Sequence, residues 1–215
     1  QQRLINLVAN VRDITRFREA EQLKSTFISV ISHELKTPVS LIKGYADTLL
    51  REDARWNKDT INASLHVIEE EADRLTNLID NLLDASRLQA GGLQLNLSTV
   101  RLDKLSERLA RKFQTQTDKH ELKVRFPANF PSIRGDEERL HQALSNLISN
   151  AIKYSPDGGA VTISGSVPQR EVVVTVTDCG AGLPTGELER VFDRFHRAST
   201  TATTNAQGAG LGLYL

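Results

Sequence analysis

The sequence predicts a multidomain α and α+β chain, in which a helical hairpin precedes a mixed domain, and three observations lead to this prediction. Apolar residues recur at three- and four-residue spacing from Phe17 to about Leu50, and again from Leu65 to Leu88. The pair Gly91-Gly92 then interrupts the pattern. Beyond it, short strand-like and helical stretches alternate, which is typical of an α+β domain.

The first predicted helix runs from Phe17 to about Leu50. Its apolar face consists of Leu23, Phe27, Val30, Ile31, Leu41, Ile42 and Tyr45. Pro38 is the only strong interruption, and we expect it to bend the helix. Before the helix, the run from Leu4 to Val11 partly alternates apolar and polar residues, as a β-strand does.

A charged connector, residues 51–59, leads to the second predicted helix, with Asn57 or Asp59 as the expected N-cap. The apolar stripe of this helix consists of Leu65, Ile68, Ala72, Leu75, Leu78, Ile79, Leu82, Leu83 and Leu88. The charged residues Glu69, Glu70, Glu71 and Arg74 are expected on its other faces. A single hairpin cannot cover two apolar stripes, so the economical arrangement is a dimeric four-helix bundle made by two copies.

The region after Gly91-Gly92 is predicted to contain four strands and two helices. The strand-like runs are Leu93 to Leu97, Leu122 to Phe126, Val161 to Gly165 and Glu171 to Thr177, and the helical ones are Leu102 to Gln116 and Glu137 to Tyr154. Between Arg197 and Gln207 the residues are small and polar with nothing to bury. This stretch is predicted to be a mobile loop.

Composition limits the classes of function. In 215 residues, Lys plus Arg and Asp plus Glu each number 27, so nothing global favours nucleic acid as a partner. The apolar runs are far shorter than the roughly 20 residues of a membrane-spanning helix, which predicts a soluble, cytoplasmic piece. The single cysteine, Cys179, suits a reducing compartment. The start at Gln1 and the absence of Met indicate an excised part of a longer protein, whose remainder could hold a membrane anchor.

The run from Ser32 to Pro38 contains the parts of a phosphotransfer site. On a helix, His33 and Thr37 are four residues apart and share a face, while Glu34 flanks the imidazole. An imidazole that is largely neutral at pH 7 is a competent nucleophile, and an adjacent carboxylate can orient it or take its remaining ring proton. The alternative is an ordinary polar histidine on an amphipathic helix.

Two further groups suit a nucleotide. Asn146 and Asn150 share one helix face, with Lys153 three residues on; amide oxygens suit Mg²⁺ and a lysine complements phosphate. Asp178 follows a predicted strand beside glycines, where a carboxylate can accept a hydrogen bond from an exocyclic amine such as that of adenine. Taken singly, helix-face asparagines and a glycine turn with an aspartate are ordinary structural features.

Two weaker groups follow. The glycines 208, 210 and 212 expose backbone N–H groups that suit phosphate oxygens, although their spacing is neither a Rossmann fingerprint nor a P-loop. In the run from Val191 to Arg197, the aromatic residues are expected to anchor the start of the polar loop, and Arg194 or Arg197 to reach phosphate. The order of all these groups along one chain carries more weight than any one of them.

Together these motifs resemble those of the two-component sensor histidine kinases. Ser32 to Pro38 is similar to the phosphoacceptor box of that family. The segments Asn146 to Tyr154, Asp178 to Gly182, Phe192 to Arg197 and Gly208 to Gly212 resemble its asparagine, first-glycine, phenylalanine and second-glycine boxes. The resemblance covers residues 18 to 215 and implies a Bergerat-type α/β-sandwich ATP-binding domain after the hairpin.

The resemblance implies a role for each matched residue. His33 would accept the γ-phosphoryl group of ATP, and Thr37 would place a water for the reverse, phosphatase reaction. Asn150 would bind Mg²⁺ with Asn146 alongside, and Lys153 and Tyr154 would face the nucleotide. Asp178 would read the adenine amine. The adenine pocket would be shaped by Gly180 and Gly182, and the triphosphate bordered by Gly208, Gly210 and Gly212, with Arg194 adding positive charge.

The family also implies a domain plan and partners. Residues 1–17 would end a PAS-like sensor domain, 18–92 would form the dimerisation and phosphotransfer hairpin, and 93–215 would bind ATP. The product would be phosphorylated His33, whose phosphoryl group passes to an aspartate of a response-regulator receiver domain. Family members usually continue past the second glycine box, so the ATP-binding domain is expected to be incomplete at Leu215.

Two other functions stay open from the sequence. One is an ATP-driven clamp of the gyrase or chaperone type, against which the hairpin with His33 argues. The other is a dimerisation and signalling module without catalysis. Cys179 also has two interpretations, a small buried filler, which is the preferred one, or a thiol that makes nucleotide binding sensitive to oxidants.

Overall fold

The structure is a computed structural model that describes residues 12–51, 54–89, 91–92, 94–194, 196 and 210–215. The strand expected from Leu4 to Val11, the polar loop between Arg197 and Gln207, and Gly208 lie outside the described residues. Helices α1 (Thr15–Leu49) and α2 (Lys58–Gln89) pack side by side as the predicted hairpin. No described helix is both long enough and apolar enough to cross a membrane.

Helix α1 is continuous through Pro38, so the predicted break there is wrong, while the predicted bend stays a prediction. A proline inside a helix deprives the carbonyl four residues earlier, here that of Glu34, of its N–H donor. The Pro38 ring is fully buried, and its packing against the hairpin offsets part of that loss. The missing backbone hydrogen bond therefore lies at Glu34, next to His33.

The ends of α2 follow the sequence prediction. The Asn57 side-chain oxygen accepts a hydrogen bond from the Thr60 N–H at 2.7 Å, which caps the first turn. At the other end Gly91 has φ +66°, and the Gly92 N–H donates to the Arg87 carbonyl at 3.0 Å. This left-handed glycine closes the helix and turns the chain toward the second domain.

The second domain packs two helices against a mixed sheet. The helices are α3 (Leu102–Gln114) and α4 (Glu137–Lys153); the strands are β1 (Ser98–Val100), β2 (His120–Arg125), β3 (Ile133–Gly135), β4 (Gly159–Ser166) and β5 (Val173–Thr177). β4 lies between β2, to which it is parallel, and β5, to which it is antiparallel. β1 and β3 form a separate antiparallel pair.

The core of this domain lies between the helices and the sheet. Its most buried side chains are Val100, Leu105, Leu109, Ile148 and Ile163. Helices α3 and α4, predicted at Leu102 to Gln116 and Glu137 to Tyr154, turn their apolar faces to the strands. The predicted mixed α and β architecture of this domain is therefore confirmed.

Two strand predictions need correction. Residues 94–97 form no strand; the Asn96 N–H donates to the Asp136 carboxylate at 2.8 Å instead of joining a ladder. The same carboxylate caps α4 by accepting from the N–H groups of Glu138 and Arg139. Strand β3 was not predicted, because three residues are too few to show an alternating pattern.

The hairpin and the second domain touch through the end of the described chain. Buried Leu211 packs with Ala85 of α2, and Val30, Leu78 and Leu82 surround this pair. Tyr214 and Leu215 join the same cluster. The segment predicted to border the triphosphate therefore lies against α1 one turn before His33.

Candidate active site

His33 stands on the outer surface of α1. Its side chain is 81% exposed, and its Nδ1 lies 3.9 Å from Oε1 of Glu34. One turn later the Thr37 hydroxyl donates to the His33 backbone carbonyl at 3.3 Å. His33 and Thr37 therefore share one surface, with an imidazole that an incoming group can reach.

Glu34, in contrast, is buried between the two helices. Its side chain is 9% exposed, and Oε2 lies 3.9 Å from a guanidinium nitrogen of Arg74 on α2. The other terminal nitrogen of Arg74 lies 3.8 Å from the Glu71 carboxylate. Arg74 thus neutralises two carboxylates inside the hairpin, which lowers the cost of keeping Glu34 charged next to His33.

Glu71 and Arg74 were predicted on faces of α2 other than its apolar stripe, but Arg74 faces Glu34 of α1 and Glu71 pairs with Arg74. Arg74 lies four residues before Leu78, which packs toward the second domain, so the apolar stripe borders it directly. The position of Arg74 at the edge of the apolar stripe was the one sequence feature that could have indicated a contact with a carboxylate of α1.

Helix α4 carries the predicted asparagines. The Asn146 amide nitrogen donates to the Gly212 carbonyl at 2.9 Å, so the helix is tied to the end of the described chain. Asn150 is half-buried one turn later. The Lys153 ammonium lies 5.1 Å from the centre of the Tyr154 ring, a cation–π distance that keeps its charge at the helix end.

Asp178 follows β5 and faces the end of α4. Its Oδ1 accepts hydrogen bonds from the Gly180 N–H at 2.7 Å and from the Ser155 hydroxyl at 3.4 Å. A Cβ on Gly180 would lie 2.4 Å from the Tyr154 carbonyl, so this position requires glycine. Gly182 has φ +71°, which also favours glycine. The structure thus brings Tyr154, Asp178 and the first glycines together.

The expectation for one neighbouring residue, Cys179, is wrong. Cys179 is exposed rather than buried, because it follows the end of β5, where its thiol faces the Ala160 carbonyl at 3.5 Å. Phe192 is 62% exposed, and the other aromatic residue of that run, Phe195, lies with Arg197 and the polar loop outside the described residues. In this region Arg194 stacks 4.5 Å from the centre of the Tyr214 ring, and His196 pairs with Glu187.

A polar contact between the hairpin and α4 was not predicted. The Arg139 guanidinium donates to the Asp84 carboxylate at 2.5 Å, and the Gln142 amide reaches the same oxygen at 3.2 Å. This hydrogen bond from Arg139, opposed by partial burial, holds the pKa of Asp84 below its usual value. The residues are 55 positions apart, so no local pattern reveals the contact.

The comparisons with known proteins divide the chain into the same two regions, the hairpin and the second domain. A family model described as "His Kinase A (phospho-acceptor) domain" matches residues 23–91. A second, described as "Histidine kinase-, DNA gyrase B-, and HSP90-like ATPase", matches residues 135–215. Sensor protein SrrB of Staphylococcus aureus (strain N315) is 34% identical over 97% of this chain. The chain spans 36% of the length of that curated relative.

Solved structures agree in fold. Full-length ShkA in complex with AMPPNP is 25% identical, with 86% of this chain and 39% of that chain covered and a TM-score of 0.59. Histidine kinase ThkA in complex with response regulator protein TrrA is 20% identical, with 84% and 53% covered and a TM-score of 0.61. At that identity the ThkA match shows the fold alone.

Proposed function

The chain belongs to the two-component sensor histidine kinase family, of which it carries the phosphoacceptor and ATPase regions, and we propose that it phosphorylates His33 with ATP and Mg²⁺. The phosphoryl group then passes to an aspartate of a response-regulator receiver domain. One observation carries this proposal: Gly212 accepts a hydrogen bond from Asn146 while its neighbour Leu211 packs near Val30. The candidate nucleotide site and the phosphoacceptor helix thus share one segment.

The nucleophile in this proposal is Nε2 of His33. The Glu34 carboxylate lies on the Nδ1 side of the ring, which favours the tautomer with the proton on Nδ1. The Nε2 lone pair attacks the γ-phosphorus, the bond from that phosphorus to the β,γ-bridging oxygen breaks, and ADP leaves. Glu34 then accepts the Nδ1 proton, which leaves a neutral imidazole ring in the phosphoramidate.

On the nucleotide side, the side chains supply position and charge. Asp178 would accept a hydrogen bond from the adenine amine, and Lys153, Arg194 and the backbone of Gly210 and Gly212 would lie toward the phosphates. The half-buried amide of Asn150 fits Mg²⁺, which keeps waters and substrate phosphates as its other ligands. The ion would neutralise charge on the phosphates. No cluster of three or more acidic, His or Cys ligands competes for it among the described residues.

We propose a homodimer as the working unit. On α2 the side chains of Leu65, Ile79 and Leu83 are 51%, 44% and 50% exposed in the single chain. On α1, Val39 and Leu41 are exposed as well. A second hairpin would cover these faces and complete a four-helix bundle.

The proposal includes three further assignments. The exposed His33 imidazole is accessible to a receiver domain, and ThkA has been solved with the response regulator TrrA. Thr37, one turn from His33, would place a water for dephosphorylation of that partner. Residues 1–17 would continue from a PAS-like sensor in the cytoplasm, with any membrane anchor in segments outside this chain.

The test is autophosphorylation with labelled ATP and Mg²⁺. We expect acid-labile, alkali-stable label on the wild-type chain and none on His33→Gln, because the nucleophile is gone. His66→Gln is the matched control: His66 is 76% exposed and lies 3.5 Å from Glu69, so it is a second histidine–glutamate pair on the hairpin. Label that persists in His33→Gln would contradict the proposal.

The same assay separates the two other functions. Continuous phosphate release without labelled protein would favour an ATP-driven clamp, the activity of other proteins with this ATPase fold. Normal dimerisation without nucleotide binding would favour a non-catalytic module. In both cases the His33 and His66 variants would behave alike.

A further inference from the structure

His120 is a buried histidine that the proposed reaction does not use. It begins β2, and the residue is only 7% exposed. Its Nε2 lies 2.8 Å from the Ser155 carbonyl oxygen, and its Nδ1 lies 2.8 Å from the Thr117 hydroxyl. Both ring nitrogens are therefore occupied inside the domain.

The chemistry of these partners fixes the tautomer of His120. A carbonyl oxygen can only accept, so Nε2 carries the ring proton and donates to Ser155. The Thr117 hydroxyl lies within hydrogen-bond distance of Nδ1, so both ring nitrogens have partners. The imidazole therefore holds the Ser155 backbone from inside the domain.

Backbone hydrogen bonds also hold the turn that contains Ser155. The Ser155 carbonyl also accepts the Gly158 N–H at 2.9 Å, and the Gly159 N–H donates to the Lys119 carbonyl at 3.1 Å. A Cβ on Gly158 would lie 2.3 Å from that same carbonyl. The turn is thus packed directly on the residue before His120, which leaves Ser155 little freedom.

The Ser155 side chain continues this network to Asp178. The residue is 2% exposed, and its hydroxyl donates to Asp178 Oδ1 at 3.4 Å. Oδ1 also accepts from the Gly180 N–H, whereas Oδ2 has no hydrogen-bond partner within the described ranges. A hydroxyl contact of this length can shorten when a ligand orders the carboxylate.

We propose that Ser155 and His120 are positioning residues for purine selectivity: they hold one oxygen of Asp178 so that the other faces the 6-amino group. This rests on the proposed function, in which Asp178 reads adenine. Removing the Ser155 hydroxyl leaves Oδ1 held by the Gly180 N–H alone, so the carboxylate can rotate more widely. The affinity for purine nucleotides that carry the 6-amino group should then fall, whereas the affinity for those that lack it should not change.

The experiment measures dissociation constants for ATP and for purine riboside triphosphate, which lacks the 6-amino group, by calorimetry on the full chain with Mg²⁺. We expect Ser155→Ala to lower the preference for ATP by about tenfold, the effect of one charge-assisted hydrogen bond. Ser155→Thr keeps a hydroxyl and should restore much of the preference. Ser106→Ala is the control, because Ser106 is fully buried in the same domain and does not contact Asp178.

His120 is tested by a matched pair. His120→Gln retains an amide N–H near the position of Nε2, and His120→Leu retains none. We expect the leucine variant to lose ATP preference as Ser155→Ala does, and the glutamine variant to keep more of it. Equal weakening of both nucleotides in all variants would mean that the network only stabilises the turn, which would overturn the proposal.

A second readout does not depend on nucleotide. The Gly180 N–H shares Asp178 Oδ1 with Ser155, so its hydrogen exchange should be faster in Ser155→Ala than in Ser106→Ala. If the wild type bound neither nucleotide, the proposed function would be wrong. The exchange rate would still show whether Ser155 helps to hold Asp178. Equal exchange in the two variants would contradict the positioning role.

Discussion

The hairpin and the ATP-binding domain differ in how completely a single chain buries their apolar side chains. The domain closes its own core, with Leu105, Leu109 and Ile148 at 1%, 1% and 0% exposure. The hairpin leaves Leu65 and Leu83 about half exposed, at 51% and 50%. One region thus specifies its packing within a single chain, and the other needs a second apolar surface.

The two regions also differ in how they hold a carboxylate. Glu34 is buried between helices and faces Arg74, whereas Asp178 is exposed at a strand end and is held through one oxygen. A buried carboxylate beside an exposed imidazole suits proton acceptance, and an exposed one with a free oxygen suits ligand recognition. Under the proposed function, the hairpin supplies the proton acceptor and the domain supplies nucleotide recognition.

The first prediction tests the closed core. Ile148→Ala should destabilise the ATP-binding domain by about 2–5 kcal/mol, because it leaves a cavity in a fully packed site. At protein concentrations low enough for the chain to be monomeric, Leu83→Ala in the hairpin should cost about 0.5 kcal/mol or less. Denaturant unfolding can follow both regions: hydrogen exchange of β4 reports the domain, and fluorescence of Trp56, the only tryptophan, reports the hairpin. Equal losses of unfolding free energy in the two variants would contradict the conclusion that only the domain closes its core within one chain.

The second prediction tests the open faces of the hairpin. Leu83→Asp should weaken dimerisation by about two orders of magnitude, because a carboxylate would be buried without a partner in the bundle. Sedimentation velocity over a concentration series measures this. Leu97→Asp makes the same change at a leucine of equal exposure, 50%, outside the hairpin, and should leave the dimer intact. Equal dimerisation of the two variants would show that another surface pairs the chains.

The third prediction concerns the contact between the two regions. Asp84→Asn should lower the free energy of unfolding by about 1–2 kcal/mol at pH 7, since Arg139 loses a charged partner. Because the folded-state pKa of Asp84 is depressed, its contribution is present above its unfolded pKa of about 3.9 and is lost as pH falls through the lower folded value. The difference between wild type and variant should therefore shrink below about pH 4.

Urea unfolding at several pH values, followed by Trp56 fluorescence, measures this difference. Asp80→Asn on the same helix is the control, because Asp80 is exposed. A difference between Asp84→Asn and wild type that stays constant down to acid pH would mean that the charge of Asp84 does not stabilise the contact.

Periodic features were predictable from the sequence, and long-range pairs were not. The stripes of α1 and α2, the Asn57 cap and the Gly91 terminus follow from local patterns that packing did not override. The continuity of α1 at Pro38 depends on burial of the ring, which no local pattern shows. Contacts such as Asp84 with Arg139 join distant charged residues, each of which is ordinary in its own segment.

The candidate site divides in the same way. Motif order located His33, Asn146 and Asp178, and the structure supplied the partners of each. Arg74, Ser155 and His120 were missed because their roles depend on which turn packs on which strand or helix. Burial of a histidine cannot be read from the residue alone.

The central claim, that His33 is the phosphoacceptor through Nε2, is tested most directly by phosphorus NMR of the chain after incubation with ATP and Mg²⁺. The proximity of Glu34 to Nδ1 predicts a single phosphoramidate signal of the Nε2-linked isomer, absent from His33→Gln. A signal of the Nδ1-linked isomer, or inorganic phosphate accumulating without any phosphoprotein signal, would contradict the account.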